Sequence, residues 1–280
     1  MMRLYVEGVG LCGPGLDGWG ESAPVLAGER DYVPAPVRVP PAALLPANER
    51  RRAVQTVRLA LAVGAEAFAA AGRDPSGTAT VFASSGGDGE NIHQILSVLA
   101  SSTRELSPTR FHNSVHNTPA GYWSIATGSR AASSSLCCHD DSFAAGLLEA
   151  AVQASSAQQA VALVAYDVQY PAPLGDVRPI GAPFAVALVL APEGTGTAIA
   201  GLELDLRPAT DASDFGPPAL EDLRRGTPAA RSLPLLAALA RKEAASLSLS
   251  YLGDMVLKLN VAPVRRDEPP STAGSASGAS

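Results

Sequence analysis

The sequence predicts an α/β fold, a layered and largely parallel sheet between helices. Three observations point there. Strand-like and helix-like patterns alternate from residue 78 to 190. Two runs, Ala160 to Tyr166 and Pro183 to Leu190, are continuously apolar, as strands buried on both faces are. Finally, 280 residues with 46% hydrophobic and 17% charged side chains can bury one large core.

Arg3 to Glu7 alternates as a strand and is expected to stop at Gly8, Gly10, Gly13 and Gly15, where Pro14 marks a sharp turn. Prolines recur from Val33 to Pro46, so that stretch is an extended connector. Ala47 to Ala71 carries Val54, Val57, Leu61, Ala65 and Phe68 at helical spacing and reads as one long helix. Thr78 to Ser84 is a short buried strand. Gly86, Gly87 and Gly89 follow it, and then an amphipathic helix from Glu90 to Leu99. Phe111 to Ala126 is expected to be helical in its second half, with Asn117 and Thr118 as caps and Pro119 in the first turn. Arg130 to Cys137 reads as a strand of small residues and Ser142 to Ala154 as a helix. Ala198 to Leu206 suggests a further strand and Leu233 to Ala245 a helix. SLSLSYL and MVLKLNV, joined at Gly253-Asp254, form a hairpin. These elements place one domain at 1–262. Residues 263–280, rich in Pro, Ser, Gly and charge, are expected to be a disordered tail.

A net charge of −6 argues against binding a polyanion such as nucleic acid. Three cysteines, two of them adjacent, make no disulfide framework. The N-terminus has no basic stretch leading into a long apolar core, and no apolar run approaches the ~20 residues of a membrane span, so a cytoplasmic location is expected.

Gly8-Val9-Gly10-Leu11-Cys12-Gly13 fits the dinucleotide-binding glycine fingerprint formally. Pro14 and Gly15 interrupt the helix that should follow, and the ribose acid would be Glu29 or Asp31 in a Pro-rich stretch. The preferred reading is a tight turn that lets the strand pack closely on the layer above it.

A second constellation surrounds Cys137 and Cys138, where a strand of small residues turns into a helix near Asp140. A thiol at such an elbow meets exposed N–H groups that favour the thiolate and create a nucleophile. Asp140 and Asp141 would occupy the same helix start, taking up its donors and adding charge that disfavours a thiolate. The four histidines, His93, His112, His116 and His139, all precede or touch the elbow, which leaves no later base for acyl chemistry. Both cysteines can equally be small packing residues. His112 and His116, spaced i, i+4, could face one zinc ion, but carboxylate and thiol ligands are lacking nearby; no metal and no cofactor is expected.

Several segments resemble the β-ketoacyl synthases. LYVEGVGLCGPG is similar to their opening strand and turn through Gly8, Gly10 and Pro14, and TATVFASSGGDGENIHQIL to their second strand and glycine-rich turn. FHNSVHNTPAGYWSIATGSRAASSSL resembles the helix and strand that lead to the active-site cysteine. The long agreement through HNSVHN, PAGYWSIATGSR and SFAAGLLEA is with the ketosynthase-like chain-length factors of aryl polyene clusters. This resemblance implies a thiolase-like fold, its N-terminal half only, with a C-terminal helix and hairpin added. Aligning Ser142-Phe143-Ala144-Ala145 with the family's helix puts His139 at the position of the catalytic cysteine and Cys138 one residue early. Arg178-Pro179 is present, but Ile180 to Phe184 leads straight into a strand where the family has a glycine-glutamate-glycine segment. The half that supplies the two catalytic histidines is not matched.

The resemblance therefore implies a subunit without catalysis of its own, in fatty-acid- or polyketide-type chain elongation. It would pair with a full-length β-ketoacyl synthase as a heterodimer through the strand before residue 139, and meet an acyl carrier protein through that partner. Ala131, Ala132, Ser133, His139 and Phe143 are the expected acyl-tunnel and interface residues, and His112, Asn113, His116 and Asn117 a vestigial motif. The alternative is an autonomous acyltransferase or condensing enzyme, with Cys138 as nucleophile and His139, His112 or His116 as base.

Overall fold

The computed structural model describes residues 1–209 and 215–264. The chain runs β1 (Met2–Gly13), β2 (Leu16–Asp17), α1 (Trp19–Ala27), α2 (Ala47–Arg52), α3 (Gln55–Ala71), β3 (Ala79–Ala83) and α4 (Gly89–Ala100). It continues with α5 (Pro108–His112), α6 (Thr118–Thr127), β4 (Ser133–Leu136), a 3-10 turn over His139–Asp141, α7 (Ser142–Ala157) and β5 (Val161–Asp167). Then come α8 (Leu174–Val177), β6 (Phe184–Ala191), β7 (Ala200–Pro208), α9 (Pro218–Gly226), a 3-10 turn over Pro228–Ser232, α10 (Leu233–Arg241), β8 (Ala245–Tyr251) and β9 (Met255–Pro263). The tail expected from residue 263 lies outside the described residues from 265 onward, and Pro263 itself ends β9.

One mixed sheet runs β4-β3-β5-β6-β1-β7-β9-β8, with β2 folded back on β1. Among the described residues only β3 with β4 and β3 with β5 pair in parallel; the other six pairings are antiparallel. The sheet is thus less parallel than the alternation of elements suggested. Helical crossovers join β3, β4 and β5, whereas β6 and every strand outside it run counter to their neighbours. A strand buried on both faces carries the same apolar run in either pairing.

Helices cover both faces of the central strands. On one side Val161, Leu163, Val186 and Leu188 pack with Phe143 and Leu147 of α7 and with Leu235 and Leu236 of α10. On the other, Ala162, Val164, Ala185 and Ala187 pack with Val57, Leu61 and Phe68 of α3 and with Trp123 of α6. Small residues face α3, which lets that helix approach closely.

The same packing corrects the reading of the first glycines. β1 passes straight through Gly8 and Gly10, and a bulge between Val6 and Gly8 turns both toward α3. A Cβ on Gly8 would lie 2.0 Å from the Ala67 carbonyl oxygen, and one on Gly10 1.9 Å from that of Val63. Close helix-on-strand packing holds as expected. The tight turn falls only at Pro14-Gly15, where Gly15 has φ +66°, and β2 rather than a helix follows, so no helix N-terminus awaits a pyrophosphate.

The expected helix from Ala47 to Ala71 is likewise two helices. Ala53 and Val54 are extended, and Asn113, far along the chain, donates from Nδ2 to the freed Arg52 carbonyl at 2.9 Å. The sequence patterns do not predict α1, α5, α8 or α9. No helix among the described residues is long and apolar enough to cross a membrane.

Candidate functional site

β4, β3 and β5 run in parallel, so their C-terminal ends, at Leu136, Ala83 and Asp167, open on the same side of the sheet. Crevices beyond such ends are where α/β sheets collect ligands and reactive groups. The chain leaves β3 through Ser84, Ser85 and the glycines, and β4 through Cys137 and Cys138.

Asp167 ties this region together. Its Oδ1 accepts the Ser85 N–H at 2.8 Å and the Ser84 hydroxyl at 3.2 Å, and its Oδ2 accepts the Ala229 N–H at 2.8 Å. Burial outweighs these bonds and pushes its carboxyl up to about 6. Tyr170 lies across the glycine turn. A Cβ on Gly86 would come within 2.1 Å of its hydroxyl and one on Gly89 within 2.2 Å of its ring.

The elbow itself is tightly held. Cys137 Sγ donates to the Ser85 carbonyl at 3.0 Å. Ser142 Oγ accepts the Cys138 N–H at 3.0 Å and donates to the His139 carbonyl at 2.7 Å. His139, at the turn, has φ +51°, and its side chain is 70% exposed. Asp140 and Asp141 do not take up the donors of α7, contrary to the expectation from their position. The Asp141 cap makes no side-chain bond to the helix, and both carboxylates turn to arginines. Burial would raise the Asp140 carboxyl, but the Arg178 hydrogen bond and the charges of Arg231 and Arg178 hold it below its ordinary value.

Of the two adjacent thiols, Cys137 is exposed and Cys138 half-buried. Burial, with Cys137 and Asp141 adding to it, raises the Cys138 thiol, so the thiolate is disfavoured where the sequence had placed the candidate nucleophile. Ala131 is half-buried, Ala132 and Ser133 are exposed on the outer edge of the sheet, and Phe143, 1% exposed, belongs to the core below α7. His139 and Phe143 therefore diverge from one turn, the first outward and the second inward. A cavity of ≈280 Å³ beside the elbow is lined by Asp140, Asp141, Phe143, Ala144 and Arg231 together with β8.

The motif before β4 is split. His112 ends α5, with its ring edge-on to Tyr122 at 6.1 Å, whereas His116 lies in the following turn with Nε2 3.1 Å from the Leu136 carbonyl. The i, i+4 pair thus shares no helix face, and no group of three or more His, Cys, Asp or Glu side chains that could hold a metal occurs among the described residues. Asn113 is buried, and Asn117 precedes α6 exposed, with no side-chain cap bond. Sequence reasoning missed Asp167, Tyr170 and Arg231. A lone acid closing an apolar run, AYD, was the only available signal for the first.

The family model described as β-ketoacyl synthase, N-terminal domain, matches residues 27–248. No curated protein matches the sequence. Among solved structures, a chain of the ketosynthase ApeO in complex with its chain length factor ApeC from Xenorhabdus doucetiae is 24% identical; the match covers 93% of this chain and 100% of that one at a TM-score of 0.69. The ishigamide ketosynthase/chain length factor is 13% identical over 95% of this chain and 100% of that one, with TM-score 0.69. A β-ketoacyl synthase from Burkholderia phymatum is 13% identical over 95% and 100%, with TM-score 0.67. At these identities the structures establish a shared fold, the thiolase-like α/β arrangement.

Proposed function

We propose, from the premise that the chain belongs to the β-ketoacyl synthase N-terminal-domain family, that it is a chain-length-factor subunit: it pairs with a catalytic ketosynthase and shapes the pocket that limits acyl-chain growth. The observation that carries this reading is the surface around the elbow. β4 is an edge strand, and the segments between β3 and β4 expose large apolar side chains: Ile92, Leu96 and Leu99 along one face of α4, then Phe111 and Val115. Phe111 is 66% exposed and Leu96 58%. An open strand edge and exposed apolar side chains are each surfaces that call for a partner.

Two further points support the reading. Two of the similar structures are described as ketosynthases with chain length factors. The HNSVHN and PAGYWSIATGSR segments resemble the chain-length factors of aryl polyene clusters, which favours a polyene as the growing chain. The partner's cysteine would carry the chemistry, and an acyl carrier protein would reach the pair through the partner. Cys138, half-buried and with its thiol raised, fits an autonomous nucleophile poorly.

The test is coexpression with a full-length ketosynthase and the mass distribution of acyl chains on the carrier, normalised to intact heterodimer. Replacing His139 by Ala or Ala132 by Leu should shift chain length, in opposite directions, while the ketosynthase still turns over. An unchanged distribution for both variants removes the chain-length role. Steady turnover by the isolated chain that Cys138→Ala abolishes establishes the autonomous enzyme instead.

A further inference from the structure

Three segments that follow β5 converge on the two aspartates of the elbow. Arg178, just past α8, hydrogen-bonds Asp140 Oδ1. Arg231, in the 3-10 turn before α10, bridges both acids, with Nη2 3.1 Å from Asp140 Oδ2 and Nη1 3.0 Å from Asp141 Oδ1. The remaining Asp141 oxygen accepts the Leu252 N–H from the tip of the β8–β9 hairpin at 3.0 Å. Two carboxylates thus meet two guanidinium groups and one backbone donor, and the His139 imidazole itself stands with Nδ1 3.6 Å from Asp140 Oδ1. The Arg178, Arg231 and Asp141 side chains are 23%, 26% and 16% exposed, so solvent screens these contacts less than it would a surface pair.

His139 lies between Cys138 and Asp140. A non-glycine residue at φ +51° occupies a sparsely populated conformation, which persists where the surrounding structure over-determines it. On its N-terminal side the Ser142 hydroxyl fixes Cys138 and the His139 carbonyl. On its C-terminal side the Asp141 N–H donates to the Cys138 carbonyl at 3.0 Å, and Arg178 and Arg231 hold the Asp140 and Asp141 side chains.

We propose that Arg178 and Arg231 are positioning residues, forming a clamp that anchors the 3-10 turn and the β8–β9 hairpin to the elbow and presents His139 outward beside the β4 edge. The consequence for chain length rests on the chain-length-factor reading; the clamp itself does not. In an active ketosynthase elbow the helix start serves a nucleophile. Here the same turn serves as an anchor point, and the residue at its apex is held as a fixed surface feature.

The experiment compares Arg178→Met, Arg231→Met and the milder Arg231→Lys and Asp141→Asn variants of the full chain. Hydrogen exchange at the Cys138 and Leu252 amides and the NMR chemical shifts of the His139 imidazole report on the elbow. Arg231→Met should speed exchange at both amides about tenfold or more and move the His139 signals, and Arg231→Lys should restore part of both effects. In Arg178→Met the Asp140 carboxyl should titrate at higher pH than in the wild type. If a Met variant fails to fold, the same amides and signals are read in Arg231→Lys and Asp141→Asn, which should show smaller changes of the same sign. Wild-type exchange and an unmoved imidazole in the folded variants overturn the clamp. Product lengths from the heterodimer separate the two ideas. If the imidazole moves in Arg231→Met but neither that variant nor His139→Ala alters products, the clamp stands and the chain-length reading falls.

Discussion

If a ketosynthase pairs across β4, a single proline should separate folding from assembly. β3 takes its bonds from alternate residues of β4. The Thr80 N–H reaches the Ala132 carbonyl at 3.0 Å and the Ser84 N–H the Leu136 carbonyl at 3.2 Å. In a parallel ladder the residues of that parity, Ser134 among them, face β3, and the backbone groups of Ser133 and Ser135 face the open edge. Ser135→Pro therefore removes an N–H that no internal strand uses, and an edge strand tolerates the ring. Stability of the isolated chain should change by no more than about 1 kcal/mol. Across the interface the same substitution leaves the partner's carbonyl unpaired, a loss of about 1–3 kcal/mol. That weakens the complex about 5- to 150-fold. Urea unfolding of the chain and titration calorimetry against the ketosynthase measure the two halves separately. Ser134→Pro is the control, because it strips a bond from the β3–β4 ladder and should cost the fold itself. A folded Ser135→Pro chain that binds within about threefold of wild type would refute pairing through this edge, since the partner would then be making no use of the free N–H.

Three other outcomes follow from the packing and electrostatics. Gly10→Ala, whose Cβ would lie 1.9 Å from the Val63 carbonyl, should destabilise the chain by about 3 kcal/mol or more in urea unfolding, since neither backbone can yield cheaply. Asp167, raised to about 6, contributes stability that is full below its unfolded value and lost as pH rises to 6. The stability difference between wild type and Asp167→Leu should fall by about 2 kcal/mol between pH 4 and 7, and a flat difference would show that the buried carboxyl is not raised. Maleimide should label the exposed Cys137 first and Cys138 more slowly. Cys12, 4% exposed and pushed up to about 11 by burial with the Asp17 and Glu66 charges, should label only on unfolding; mass spectrometry of the modified peptides gives the order.

Much of the sheet was legible because its signals are local. The apolar runs that became β5 and β6, and the alternating runs of the β8–β9 hairpin, needed no distant partner to be read. The failures have distant causes. The break between α2 and α3 is supported by Asn113 on another segment, and Gly8 and Gly10 looked like a turn because a glycine required by an approaching helix has the same letter as one required by a bend. At the site, the elbow was legible from small residues followed by Cys137, Cys138 and two acids. Its partners were not: Arg178, Arg231 and Leu252 lie 38 to 111 positions away from the aspartates they meet.

The fate of those aspartates bears on what the elbow can do. A thiol at a strand-to-helix turn gains acidity from the N–H groups of the helix start, provided that nothing negative stands beside it and water can reach the thiolate. Here Cys138 is drawn partly into the protein, Asp141 stands beside it, and its thiol is raised. Arg231 holds Asp141 in that place, so it leaves the helix donors untouched yet keeps its charge near the thiol. Asp140, kept below its ordinary value, stays ionised across neutral pH. Burial is the largest cause of the raised thiol, and Asp141, which also helps fix the turn, adds to it. On the proposed chain-length-factor reading, the exposed His139 beside the open β4 edge would face the ketosynthase partner, and the elbow would then act through assembly.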